Sequence, residues 1–330
     1  MTIAEQITRI KNAKAAIKRA IQNKGVAVSD TAKLDEYPAL INSIETGSGS
    51  GESYVNPDFY ELRTKGGTNY QELFSRYAYP GGVQYTLDLS HWDTSEVINM
   101  SKMFYYCNAL VSVDLSNWDT SKLKRMDDMF YYCETLTELD IKHFDVSNVD
   151  TANGMFNYCR ALTSLDLSGW TFKDSIYNFG NMFNECNSLT SVNITGWGQY
   201  SKVTSVSYMF TNCKVLKDII GELDLSGLTG GFYPGSSSNP FKGCNALETL
   251  YLKNIYKDCT MTNASKWSIN LADTKVKDEC LIYIINELPD LINDKGLTAT
   301  DKIVLTLPPS NTLTEEQKQV ARDKGWQVVN

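Results

Sequence analysis

The stretch LVSVDLSNWDTSKLKRMDDMFYYC, Leu110 to Cys133, is the clearest copy of a unit that recurs down the middle of the chain. In its first half, alternation puts Val113 and Leu115 on one side and Ser112, Asp114 and Ser116 on the other, the period of a strand. A turn at Trp118-Asp119-Thr120-Ser121 follows. Leu123, Met126, Met129, Phe130, Cys133 and Leu136 then recur at helical spacing, which predicts a short helix or 3₁₀ turn as the return path. Outward from this copy the pattern Met-Phe-x-x-Cys ends at Cys107, Cys133, Cys159, Cys186 and Cys213, and Phe241-x-x-Cys244 keeps its register, in steps of 26, 26, 27, 27 and 31 residues. A second register marks seven copies, at Leu87-Asp88-Leu89, Val113-Asp114-Leu115, Leu139-Asp140-Ile141, Leu165-Asp166-Leu167, Val192-Asn193-Ile194, Leu223-Asp224-Leu225 and Leu250-Tyr251-Leu252. A fixed period of this size means stacked supersecondary units, each too small to bury its own apolar face. The expected architecture is an α/β solenoid with strands on one side.

Recurrence also assigns side chains. The Met and Phe stripe returns in every unit and is therefore core rather than a cofactor box. Six of the eight cysteines occupy one apolar slot, so they are expected to be reduced, buried thiols, in keeping with assembly in a cytosol. The only histidines, His91 and His143, sit at the turn position filled elsewhere by Asn117 and Gly169, which argues for turn residues rather than ligands or bases. No GxSxG, HExxH, P-loop or CxxC pair is present. Enzymatic activity, a cofactor and a metal are not expected.

At 330 residues, with 21% charged and 42% hydrophobic residues, the chain has an ordinary globular composition. Its net charge of −8 argues against a nucleic-acid partner, which needs a basic stripe. No apolar run approaches a membrane span, so membrane insertion is not expected.

Two surface columns stand out. Asp88, Asp114, Asp140, Asp166 and Asn193 are expected along the outward strand face, about 4.8 Å apart. Carboxylates at that spacing repel by about 0.9 kcal/mol even at the dielectric constant of water. Hydroxyls such as Ser112 and Ser164, the ammonium of Lys142, or bound ligands or cations would compensate, and these alternatives stay open. The second column is Tyr105, Tyr106, Tyr131, Tyr132 and Tyr158 on the return segments. Tyrosine supplies large rigid area with a polar tip, so an exposed cluster suits a partner surface, although part of it would instead cover the core edge.

Residues 1–46 read differently. Ile3, Ile7, Ile10, Ile17 and Ile21 form a helical stripe that also fits a coiled-coil seam, with Lys14 where a further apolar residue is expected. Gly25 stops this helix, and Ser29 or Asp30 caps a second one carrying Leu34, Tyr37, Leu40, Ile41 and Ile44, its regularity limited by Pro38. The segment is expected to oligomerise, as a trimer, or to attach the chain to a partner; a self-contained helical hairpin is the alternative. Residues 47–53 are a Gly/Ser linker, 54–86 an N-terminal cap, 87–266 the solenoid and 267–330 a C-terminal cap. In that last part Lys275–Leu288 predicts a helix, Ile303–Leu307 a strand ended by Pro308-Pro309, Thr314-x-x-Gln317 a capping box, and Trp326–Val329 a final strand.

The string Leu-x-x-Leu-Asp-Leu-Ser-x-Trp-Asp-Thr-Ser with Met-x-x-Met-Phe-x-x-Cys resembles the BspA-like class of leucine-rich repeats, over roughly residues 87–253. The resemblance implies a right-handed leucine-rich-repeat solenoid of about seven rungs, of the kind found in surface adhesins and binding modules. The N-terminal ITRIKNAKAAI, Ile7 to Ile17, with Lys33-Leu34-Asp35-Glu36-Tyr37, resembles the start of bacteriophage head and tail fibre proteins. It implies a virion protein anchored through 1–46 to other virion proteins, with the solenoid recognising a host-surface glycan or protein. The start MTIAEQ has no signal-peptide pattern, which favours a virion location over an exported bacterial adhesin; a purely structural virion decoration protein is a further alternative.

Overall fold

Nine short strands stack in parallel ladders in the computed structural model, which describes residues 68–76, 84–90, 92–172, 178–197, 204–226, 228, 238–256, 268–295 and 303–330. The chain divides into units 1–64 and 65–330, and everything described belongs to the second. The isoleucine stripe, the linker, His91 and Cys259 lie outside the described residues.

The first ladder pairs β1 (Tyr85–Asp88) with β2 (Leu110–Asp114), aligning Leu87 with Val113 and Asp88 with Asp114. A second ladder holds β3 (Ser164–Asp166), β4 (Ser191–Asn193), β5 (Asp218–Asp224) and β6 (Thr249–Lys253) in that order. Leu87, Val113, Leu165, Val192, Leu223 and Leu252 point inward and are buried, as alternation requires. The third unit departs from expectation: Leu139-Asp140-Ile141 forms no strand, and Leu139 is only half-buried. A further row of one-residue parallel bridges runs through Asn69, Asn99, Arg125, Thr151, Asn178 and Ser205. Between these rows the WDTS turn ties rungs together: the indole N–H of Trp118 donates to Leu89 O at 2.9 Å, and Thr120 Oγ1 donates to Asp145 O at 3.1 Å.

The return path is not a helix. Lys102 and Tyr106 have φ of 58° and 61°, Asp128 and Tyr132 53° and 60°, and Gly154 and Tyr158 both 63°, so every fourth residue is left-handed. That spacing makes two successive tight turns in place of one helical turn, although both bring the same apolar residues inward. Alternate amides then have different partners. Met103, Tyr105 and Cys107 donate three residues back, while Phe104 and Tyr106 donate to Met129 O and Tyr131 O of the next rung. A continuous helix would satisfy itself and leave the rungs held by side chains alone.

The core is a set of columns. Phe74, Phe104, Phe130, Phe156, Phe183, Phe210 and Phe241 stack with centroids 5.1–6.1 Å apart. Phe74 brings residues 68–76, expected as cap, into the repeat as a further return segment. Beside the rings, the thiols of Cys107, Cys133, Cys159, Cys186, Cys213 and Cys244 each donate to the phenylalanine carbonyl of the preceding rung at 3.0–3.2 Å. Burial pushes the described repeat thiols from Cys133 to Cys244 above their ordinary range, so little nucleophilic thiolate exists. The described repeat thiols should therefore react with a thiol reagent only as fast as the protein unfolds. Denaturation without reductant should release close to all eight thiols, and a small fraction of that yield would mean disulfides.

Beyond β6 the repeat changes style. β7 (Ser268–Asn270), β8 (Val304–Thr306) and β9 (Gln327–Val329) form a third parallel ladder. They are joined through α1 (Asp278–Glu287) and α2 (Glu315–Asp323). Thr314 and Gln317 make the reciprocal capping box expected of them. α1 packs against β6, where Tyr283 meets Tyr251 edge-on at 5.2 Å. No described helix is long and apolar enough to cross a membrane.

Candidate functional site

The five candidate tyrosines converge on one face. Tyr105, Tyr131 and Tyr106, Tyr132, Tyr158 occupy the two positions before each cysteine, so the rung spacing stacks like on like. Tyr106 and Tyr132 lie 4.5 Å apart at 3°, Tyr132 and Tyr158 4.2 Å at 18°, and Tyr105 and Tyr131 4.9 Å at 12°. Cations close the ends: Arg76 sits 5.8 Å from the Tyr106 centroid, Arg160 5.1 Å from Tyr158, and Lys102 5.5 Å from Tyr105. All five rings are half-buried. Stacking covers their faces, so a partner meets ring edges and hydroxyls. Burial, then the neighbouring phenols, pushes Tyr131 up to about 12, and burial also raises Tyr105 and Tyr132. These hydroxyls keep their protons at neutral pH and remain donors.

Tyr106, Tyr132 and Tyr158 are also the left-handed residues of their turns. A bulky side chain there costs about 1–2 kcal/mol relative to a right-handed conformation. The same column holds Arg76 and Glu185, at φ of 58° and 62°, as well as Asn212 and Gly243, so the turn takes long side chains on several rungs. Stacking at about 0.5–1.5 kcal/mol per pair offsets the strain without exceeding it. Backbone preference therefore does not account for the tyrosines.

The strand-face column has a different logic. Asp88 Oδ1 accepts from the amide and hydroxyl of Ser90 at 3.0 and 2.6 Å. Asp114 accepts from Ser116 N at 3.0 Å, Asp140 from Lys142 N at 3.3 Å, Asp166 from Ser168 N at 3.0 Å and Asn193 from Thr195 N at 3.0 Å. Each residue closes a turn at the end of its strand position, and an amide oxygen serves as well as a carboxylate, which explains Asn193. The compensation expected from Ser112 and Ser164 comes instead from these turn residues. Lys142 does contribute, with Nζ 2.8 Å from Asp166 Oδ2; that hydrogen bond and the Ser168 amide bring Asp166 down to about 2. The structure gathers Asp114, Asp140 and Asp166 around one open concavity of about 830 Å³ at the unpaired third rung, with Glu138 and Lys142. Asp88 and Asn193 belong to the rungs outside it. Among the described residues, no three His, Cys, Asp or Glu are placed to hold a metal ion. His143 stands exposed in its turn, edge-on to Phe144 at 5.1 Å.

Sequence reasoning found both columns and missed two features. The left-handed tyrosines had a signal in Asn212 and Gly243 of the same column. The open third rung had none: its carboxylates face like charges, but so do Asp88 and Asp114, which pair.

A family model described as "Mycoplasma protein of unknown function, DUF285" matches residues 68–197 and 166–242. No curated protein matches the chain. Among solved structures, a leucine-rich cell-surface protein from Faecalibacterium prausnitzii A2-165 aligns at 14% identity over 78% of this chain and 81% of that one, with a TM-score of 0.29. An internalin from Listeria monocytogenes aligns at 12% identity over 76% and 78%, with a TM-score of 0.17.

Proposed function

This chain belongs to the family described as Mycoplasma protein of unknown function, DUF285, and we propose that its solenoid is a recognition module of the cell-surface adhesin type. The observation that supports this reading is the tyrosine face: five stacked phenols, three of them at left-handed turn positions, with cations at both ends. Such a surface offers rigid area and a row of donors at low cost in side-chain entropy, which suits binding and supplies no nucleophile or base for catalysis. The motif-level resemblance to BspA-like repeats points the same way. The resemblance to phage fibres, with a virion location and an isoleucine-seamed trimer through Ile3, Ile7, Ile10, Ile17 and Ile21, lies wholly in residues 1–46, and the repeats add nothing to it.

Replacing Tyr106, Tyr132 and Tyr158 together by Asn tests the proposal. Asn suits the left-handed turns, so relieved strain and lost stacking nearly cancel and the melting temperature should move by only a few degrees. Binding of the full chain to a panel of intact bacterial and mammalian cells should fall at least about tenfold, the loss of roughly 1.4 kcal/mol. Equal cell binding by the triple variant would remove the tyrosine face from the function.

A further inference from the structure

The strand ladder opens at its third rung, and the opening leaves hydrogen-bonding groups in a row. From Glu138 to Asp140 no backbone amide or carbonyl is engaged among the described residues, and Ile141 uses only its carbonyl. The neighbouring rungs show what is lost. Leu89 N donates to Asp114 O at 3.0 Å and Leu167 N to Asn193 O at 2.8 Å, whereas Leu115 N makes no such bond to Asp140 O, nor Ile141 N to Asp166 O. Pairing resumes on both sides, in β1–β2 and in β3–β6, and the Phe130–Phe156 stack behind the opening stays closed at 5.9 Å. The gap therefore belongs to the strand face alone. Strand-edge groups without partners pair with whatever extended chain is presented to them.

The concavity's floor and walls select the occupant. Val113 and half-buried Leu139 supply apolar floor, and the volume of about 830 Å³ lies within the roughly 300–1,000 Å³ of ligand pockets. Asp114, Glu138, Asp140 and Asp166 surround it, against the single ammonium of Lys142, which is already paired with Asp166. We infer that this opening docks an extended peptide strand bearing lysine or arginine, which pairs its backbone with the third rung and sets its basic side chains against the carboxylates. An alternating strand suits the site because one face would meet Leu139 while the other meets Asp140 and Glu138. The site is separate from the tyrosine face, and each stands or falls alone.

The probe is an end-blocked alternating Lys-Val peptide of about ten residues, titrated into the full chain at low and at physiological salt. Saturable one-to-one binding that weakens with salt is expected, with new hydrogen-exchange protection at Leu115 and Glu138–Ile141. The same peptide N-methylated at alternate residues keeps its charge and loses its donors, and it should bind at least about tenfold more weakly. Glu138→Gln with Asp140→Asn should weaken the parent peptide roughly tenfold without changing the melting temperature. The tyrosine triple variant should bind it normally. Absence of binding, equal binding of the methylated peptide, or indifference to the double substitution each overturns the site. Loss of peptide binding in the tyrosine variant would place the peptide elsewhere and overturn it too.

Discussion

Phe156→Ala should destabilise the solenoid by about 3–5 kcal/mol, the cost of removing a buried ring from a packed core. Phe156 is 0% exposed and sits between Phe130 and Phe183, with centroids 5.9 and 5.5 Å away. Its amide donates to Met182 O at 2.9 Å and its carbonyl accepts the Cys186 thiol at 3.1 Å, so the residue is also a joint between rungs. A solenoid closes each rung only against its neighbours, so the loss should spread up and down the stack rather than stay local. Thermal melts give the magnitude, and hydrogen exchange should lose protection first at the rungs of Phe130 and Phe183. An unchanged melting temperature would contradict the packing of this column.

Gly221→Val should cost about 2–6 kcal/mol, adding backbone strain to a steric clash. β5 serves two partners through different halves: Ile219 and Ile220 pair with Val192 and Asn193 of β4, whereas Leu223 and Asp224 pair with Leu252 and Lys253 of β6. The extra residues between the halves are absorbed at Gly221, whose φ is 109°. A Cβ there would lie 2.8 Å from Thr195 N and 3.0 Å from Ile194 C, both backbone atoms that cannot swing aside. The variant should melt earlier and lose amide protection on both sides of β5, whereas Glu222→Ala, on the exposed side of the same bulge, should cost much less. Equal melting of the glycine and valine proteins would mean the bulge is not constrained as described.

Bulges of this kind show where the sequence stops speaking clearly. Ile219-Ile220-Gly221-Glu222 stands out as an insertion, and the insertion alone leaves open whether β5 is lost, shortened or shared. Only the pairing of both halves shows that the glycine lets one strand serve two neighbours within a single ladder. The return segments teach a similar lesson. Leu123, Met126, Met129, Phe130 and Cys133 have helical spacing, yet left-handed residues at 128 and 132 fold them as paired turns. Both geometries turn the same residues inward, so periodicity cannot separate them. Amide pairing with the next rung decides between them, and that is a tertiary contact.

The sequence by itself determined the repeat, its period, the inward identity of Leu, Met, Phe and Cys, and the outward columns of Asp and Tyr. It could do so because stacked units see nearly identical surroundings, and a residue that recurs in register must answer the same need each time. It also marked Thr314 and Gln317 as a helix start, since a capping box is local chemistry. Tertiary structure alone decided that Asp88 and Asn193 lie outside the concavity that gathers Asp114, Asp140 and Asp166. It alone opened the third rung, where Leu139-Asp140-Ile141 matches its neighbours letter for letter in pattern and still forms no strand. The reason is that a strand is made by its neighbours: pairing depends on what stands opposite in the folded stack, which the alternation within one unit does not contain.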